Sequence, residues 1–379
     1  MTVLGGGQVV LPDRVVDGWV QVVDGRVREV GTGPEPEDRD RRDVEGGYVL
    51  PGFVDIHCHG GGGASFSTTD RDEACRAARF HLAHGTTTML ASLVTASSDT
   101  LAAQAGTLGR LAVAGVVAGV HFEGPFLSAK RCGAQDPAYL RDPDPAGFDR
   151  LVAAADGHAR MMTVAPELPG AVDLVRWIVD AGVVAAVGHT DATYEQTRQA
   201  VDAGARVATH LFNGMRPLHH REPGPVLACL AAAEVTCELI NDGTHLADPV
   251  VAYAASSEHV ALVTDAMAAA GMPDGVYRLG TMRVRVVDGV ARLAEGDTIA
   301  GSTLTMDVAV RRAILDVGLT WPLVARAAAL TPARVLGLDH LVGSLEPGKR
   351  ADLVVLDPAD LAVRAVMRAG EWVSTSPAR

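Results

Sequence analysis

From residue 48 to residue 265 the chain repeats one alternation: a short apolar run, then a longer Ala-rich stretch whose apolar positions fall at helical spacing. The apolar runs cover 48–60, 86–93, 116–123, 162–167, 183–189, 206–210, 236–242 and 260–265. Strands that alternate with helices in this way are the pattern of repeated βα units around a parallel sheet. The expected α/β fold is therefore a (β/α)8 TIM-like barrel.

The two ends read differently. Residues 8–11, 19–23 and 26–30 are short strands with Asp24-Gly25 as a hairpin turn, and residues 31–43 are a polar loop rich in proline and charge. Similar strands return at 348–357 and 362–366 after a helix-rich segment. The ends are expected to join as one small β-sandwich domain, 1–50 with 343–379, leaving 51–342 as the barrel. A ribbon from Val276 to Leu293, with Asp288-Gly289 at its turn, reads as an insertion after strand 8 and as scaffolding.

Composition narrows the partners. The chain is 379 residues long and 48% hydrophobic with mean hydropathy +0.16, enough for a large core, and it exceeds the ~250 residues of a bare eightfold barrel. Asp and Glu number 46 against 33 Lys and Arg, a net charge of −13, which argues against a nucleic-acid or anionic-membrane surface. No run of ~18 apolar residues is present to span a bilayer. The cysteines are odd in number and scattered, and the first residues lack a charged segment followed by an apolar one. A reducing, cytoplasmic location is the expectation.

Candidate chemistry sits at the ends of the runs. His57 and His59 close the first. Side chains at i and i+2 of a strand share a face, so both imidazoles can reach one point, where divalent zinc, iron or manganese is a natural occupant. Alone, a His-x-His is as often two ordinary polar residues at a strand end. Other runs, however, end in Glu123, His189, His210 and Asp265. A core histidine explains one such position; all six residues on the C-terminal rim of a barrel, its usual active face, point to metal-dependent catalysis.

The only lysines, Lys130 and Lys349, lie in a loop and in the tail, so no carboxylated lysine can bridge two metals. Glu123 is the available carboxylate, able to ligate one ion or bridge two. Asp265 is the candidate general base: it can take a proton from water that attacks a carbonyl and return it to the leaving nitrogen, while a metal lowers the water pKa towards ~7. Hydrolysis of a C–N bond follows; a helix-capping aspartate is the alternative reading.

His57-Cys-His59, His121-Phe-Glu-Gly-Pro-Phe-Leu127, Gly188-His-Thr-Asp191, Thr209-His-Leu-Phe-Asn-Gly-Met215, Arg221-Glu-Pro-Gly224, Asp242-Gly-Thr-His245, Leu262-Val-Thr-Asp265 and Ala300-Gly-Ser302 together resemble the N-acetylglucosamine-6-phosphate deacetylases of the amidohydrolase superfamily. The resemblance spans nearly the whole chain. It implies Glu123, His189 and His210 as principal metal ligands, His57 and His59 as completing a second site, and Asp265 as acid and base. It also implies one or two divalent ions per subunit, with zinc placed before iron, manganese or cobalt, and a homodimer with phosphate contacts across its interface. Asn213, Gly214, Arg221, His245 and the loop Ile299, Ala300, Gly301 would hold the sugar phosphate, together with Ala134 and Gln135 in the loop after strand 3. Where the family commonly has histidine, this chain has Gln135, whose amide can donate a hydrogen bond but carries no charge.

The residues themselves favour the same substrate in one respect: His219, His220 and Arg221 cluster in an acidic protein, and guanidinium is well shaped to grip phosphate oxygens. A solvated basic turn is the bland alternative. Gly60-Gly-Gly-Gly63 lacks the Gly-Lys-Ser/Thr ending of a phosphate loop and reads as backbone room near the metals. Cys132, beside Lys130 and Arg131, is a candidate for a lowered thiol pKa or an incidental cysteine. Two other functions stand beside the deacetylase: a heterocycle deaminase, separated by ammonia rather than acetate release, and a non-catalytic scaffold, against which the retained rim residues argue.

Overall fold

The computed structural model describes residues 1–36 and 40–374, and in it the eight central strands form one sheet in chain order. They are Phe53–Asp55, Thr86–Val94, Gly119–Glu123, Ala159–Val164, Val184–Val187, Val207–Ala208, Thr236–Ile240 and Val260–Val263, barrel strands 1 to 8. Neighbours from strand 2 to strand 8 are all parallel. Closure comes from the segments just past the strands: Asp265 N–H donates to His57 O at 2.8 Å, and His59 N–H donates to Ala266 O at 2.8 Å. The sheet thus closes into the (β/α)8 barrel at the very residues that carry candidate chemistry.

Several strands are shorter than the apolar runs that announced them. Strands 5 and 6 stop at Val187 and Ala208, short of His189 and His210. The reason is in the backbone: His189, His210 and Asp265 have φ of 47°, 29° and 48°, left-handed values that end a β ladder and that L residues avoid. Glu167, expected at the end of strand 4, lies in the turn after Val164.

The barrel interior is packed tightly, and strand 2 is buried along its whole length. Four of the polar side chains there form one chain of hydrogen bonds. His121 contacts Ser92 Oγ through Nδ1 and Thr163 Oγ1 through Nε2, both at 2.9 Å, and Thr163 Oγ1 meets Thr209 Oγ1 at 2.9 Å. His121 is therefore a satisfied core histidine. Around the sheet, two helices begin at side-chain caps: Ser97 accepts from Thr100 N–H at the head of Ser98–Val113, and Thr193 with Gln196 forms a capping box on Tyr194–Asp202.

The terminal strands form a second sheet, in the order Glu371–Trp372, Val363–Arg368, Leu353–Leu356, Tyr48–Pro51, Thr2–Val10, Val15–Val23 and Arg26–Gly31. Strands from both chain ends are thus interleaved. Val27 and Met367, from opposite sides of this sheet, share one apolar cluster with Leu4, Val20 and Val355, so the sheet wraps around its own core as a sandwich does. Arg41–Asp43, expected in a polar loop, pairs parallel to Thr2–Val10 through backbone groups that need no apolar side chain. Residues 37–39 of that loop and 375–379 of the expected C-terminal segment lie outside the described residues.

Two compact units divide the chain: Met1–Asp55 with Arg79–Thr88 and Met306–Arg379, and Ile56–Ala78 with Met89–Thr305. Every candidate site residue belongs to the second. So does the inserted ribbon of Gly275–Leu279, Met282–Val287 and Val290–Leu293, whose Leu279, Val284, Val286 and Ala291 share an apolar cluster with Met267 and Ala300.

Candidate metal centre and cavity

Four histidines converge on Glu123. His189 Nε2 and His210 Nε2 each lie 2.9 Å from Glu123 Oε1, His57 Nε2 lies 3.4 Å from the same oxygen, and His59 Nε2 lies 3.2 Å from Oε2. All five side chains are buried. The Nε2 atoms of His57 and His59 are 3.1 Å apart, as are those of His189 and His210. His57, His59 and Glu123 make one set of donors and Glu123, His189 and His210 a second, with Glu123 common to both.

The opposite ring atoms explain why Nε2 faces inward. His59 Nδ1 lies 3.1 Å from Ser92 O, His189 Nδ1 2.9 Å from Arg131 O, and His210 Nδ1 3.1 Å from Asn213 O. A carbonyl oxygen only accepts, so each Nδ1 carries a proton, and a ring that holds that proton alone presents its Nε2 lone pair to the centre. His57 Nδ1 instead faces Glu238 Oε2 at 3.0 Å. Lone pairs aimed at one another are repulsive unless a proton or cation lies between them. Two imidazoles on a tetrahedral zinc, with Zn–N of about 2.0–2.1 Å, would hold their nitrogens roughly 3.3 Å apart. The donor set fits a divalent cation.

Electrostatics agree with that fit. Burial alone would lower the His57 and His59 pKa values, but Glu123, Glu238 and Asp265 outweigh it for His57, which is raised well above its usual value. Hydrogen bonds to Asp265 and Glu123 do the same for His59, raising it to about 9. Burial opposes ionisation of Glu123 and Asp265 as well, yet the neighbouring imidazoles hold both carboxyls below their ordinary values. The centre has a surplus of negative charge that protons fill without a metal, and a metal ion can take the place of those protons.

Asp265 Oδ1 stands 3.2 Å from His59 Nε2 and 3.5 Å from His57 Nε2. It lines a cavity of about 340 Å³ with His59, Glu123, His189 and His210, a volume in the range of small-ligand sites. Ala134, Gln135, Asn213, Gly214, His245, Ile299 and Gly301 line the same cavity, and Ala300 is fully buried behind it. Gly214, at φ 60°, could not carry a side chain, since a Cβ would come within 2.9 Å of His189 Nδ1.

Several side chains sit where the sequence did not indicate. Gln135 is buried, with Nε2 donating to Glu123 Oε2 at 2.6 Å and Oε1 accepting from Thr95 N–H at 2.7 Å, so its amide braces the shared carboxylate. Arg221 is exposed, pairs with His220 at 2.7 Å and does not line the cavity of its own chain. The lining guanidinium is that of Arg292, on the ribbon that the sequence marked as scaffolding; Leu279 of the ribbon lines the cavity too. An exposed-looking Arg-Leu on a hairpin gave no sign of this role.

One neighbouring expectation changes. Cys132 is not an activated thiol: burial raises its pKa, while Arg131 and Lys130 turn to Asp191 at 2.9 and 3.5 Å. Burial would lower the pKa of His245, but Asp242 Oδ2 at 2.7 Å from Nδ1 outweighs burial and raises it.

A model of the amidohydrolase family matches residues 48–373. The N-acetylgalactosamine-6-phosphate deacetylase of Escherichia coli O157:H7 is 36% identical over 369 residues, which is 94% of this chain and 96% of that protein. The N-acetylglucosamine-6-phosphate deacetylase of Bacillus subtilis is 35% identical over 370 residues, 92% of this chain and 91% of that protein. Among solved structures, a mutant N-acetyl-D-glucosamine-6-phosphate deacetylase from Mycobacterium smegmatis, in complex with N-acetyl-D-glucosamine-6-phosphate, superposes with a TM-score of 0.95 at 50% identity over 98% of both chains.

Proposed function

This chain belongs to the amidohydrolase family, and from that premise we propose that it hydrolyses the N-acetyl group of N-acetylglucosamine 6-phosphate to give glucosamine 6-phosphate and acetate. The observation that carries the reading is the convergence of four Nε2 atoms on Glu123, with Asp265 beside them, at one wall of a ligand-sized cavity. Glucosamine is put first because the Mycobacterium smegmatis protein, 50% identical, is named for it, while curated glucosamine and galactosamine relatives stand alike at 35% and 36%.

Two divalent ions, zinc in the first place, would be held by the groups that share Glu123, and bound there they would polarise the acetyl carbonyl and acidify water. The residues of the chain supply the rest. Asp265 takes the proton as the water oxygen bonds to the carbonyl carbon, and delivers it to the sugar nitrogen as the C–N bond breaks, so that a neutral amine leaves. His245, paired with Asp242 at 2.7 Å, and Arg292, paired with Asp297 at 3.3 Å, line the cavity and would be its donors to a phosphate. Asn213, Gly214 and the Ile299–Ala300–Gly301 loop shape the sugar site between. Arg221, placed outside its own cavity, would serve the cavity of a partner in a homodimer. The setting would be the cytoplasm; the cysteines form no disulfide, and among the described residues no helix is long and apolar enough to cross a membrane.

The test is acetate release from N-acetylglucosamine and N-acetylgalactosamine, each with and without the 6-phosphate, alongside metal analysis of the purified protein. Release from the phosphorylated glucosamine derivative at the highest kcat/KM is the expected result. Ammonia release from a heterocycle without acetate release from any sugar would replace the deacetylase with a deaminase.

A further inference from the structure

Glu238, on barrel strand 7, is fully buried, and no lysine or arginine pairs with it among the described residues. Its Oε2 accepts from His57 Nδ1 and from the backbone N–H of His210, both at 3.0 Å. Its Oε1 has no hydrogen-bond partner. A carboxylate in such a place is costly, because burial removes hydration that only a nearby cation or a full set of donors replaces. An apolar residue or a glutamine would fill the same volume at lower cost. The position needs a charge.

The need is explained by the ring on which it acts. The Nδ1 atoms of His59, His189 and His210 rest on backbone carbonyls, and only that of His57 rests on a carboxylate. A carboxylate behind an imidazole fixes the tautomer as a carbonyl does, and it also places a full negative charge one ring away from whatever the far nitrogen binds. We infer that Glu238 is a positioning residue for the His57–His59–Glu123 group, acting through His57 so that this group, rather than the Glu123–His189–His210 group, depends on its charge for holding a divalent cation. The inference rests on the two-ion reading above. His210 enters differently: Glu238 touches only its backbone N–H, and its ring is held independently by Asn213 O.

Glu238→Gln separates the charge from the scaffold. The amide oxygen can still accept from His57 Nδ1 and His210 N–H, and the volume is unchanged, so only the charge is lost. The experiment is a zinc titration of metal-free protein at buffered free zinc, read as ions bound per chain, with a thermal melt to confirm that each variant is folded. The wild type is expected to load in two steps. With the Glu123–His189–His210 group taken as the tighter site, in Glu238→Gln the weaker step should move to roughly 10–100-fold higher free zinc, the usual cost of losing such a partner, while the tighter step stays in place. In Glu238→Ala, which also strips the acceptor from His210 N–H, both steps should move. A Glu238→Gln curve that superposes on the wild type, or one in which both steps shift together, overturns the inference while leaving two ions in place. A wild type that loads a single ion removes the two-ion reading on its own curve, and the inference with it.

Discussion

Replacing Asp265 with Asn tests the assignment of proton transfer with little disturbance of the fold. Asp265 occupies φ 48°, a left-handed conformation that Asn tolerates better than almost any residue except Gly. The side chains are nearly isosteric, so the contacts at 3.2 Å to His59 and 3.5 Å to His57 keep their spacing. What disappears is the ability to accept a proton. General acid–base catalysis is worth about 10²–10⁴ in rate, which corresponds to roughly 2.7–5.4 kcal/mol of barrier. Asp265→Asn should therefore lose that factor in kcat for acetate release while circular dichroism and at least one bound ion persist. Asp265→Ala should lose a similar factor in kcat and, in addition, about 1–2 kcal/mol of stability from forcing alanine into the left-handed region, seen as a lower Tm than that of the Asn variant. A kcat for Asp265→Asn within tenfold of wild type, at wild-type metal content, would refute the reasoning and move proton transfer to another group.

Three further outcomes are expected. His57→Ala combined with His59→Ala should reduce metal bound at saturation by one ion per chain and leave the group of Glu123, His189 and His210 loaded; unchanged content would mean that no second ion exists. Arg221→Ala and Arg292→Ala should each lower kcat/KM for the 6-phosphate by ~10–150-fold, the worth of a charge-assisted hydrogen bond of about 1.5–3 kcal/mol, and barely change the unphosphorylated sugar; equal losses on both substrates would make either residue structural. His245 has a folded pKa raised above its usual ~6.5, so its cationic form is present below that value and is lost as pH rises through the raised pKa; KM for the phosphorylated sugar should climb over that range and do so less in His245→Gln, and parallel profiles would exclude the imidazolium from phosphate binding.

The fold was legible because a parallel barrel writes each strand as an apolar run, and the runs that end in His57, Glu123, His189, His210 and Asp265 could be placed on one rim by counting strands. Strand ends were less legible. The runs through His189 and His210 look extended in sequence, but both residues turn into the left-handed region, a choice made by the closure of the barrel rim and the acceptors around each ring rather than by propensity. The terminal sheet was readable from its short strands, yet Arg41–Asp43 carries only charged side chains, and nothing in such a triplet announces a strand held by backbone pairing alone.

What stayed hidden in the site shares one physical origin. The atoms that orient His59, His189 and His210 are carbonyl oxygens of Ser92, Arg131 and Asn213, and every residue of any sequence has a carbonyl, so no residue type could flag them. Gln135 and Glu238 were visible as letters but not as partners: Gln135 reaches Glu123 from 12 positions away, and Glu238 reaches His57 from 181. Arg292 reads as an ordinary charge on an antiparallel ribbon, where alternate residues face solvent. Only the course of the ribbon after strand 8 brings Arg292 and Leu279 to the cavity that holds Asp265. Residues that bind directly must have a particular chemistry and so stand out in a sequence, whereas residues that hold them need only a position. A search for supporting residues in related chains should therefore begin from the Nδ1 atoms of the histidines and ask what each one faces.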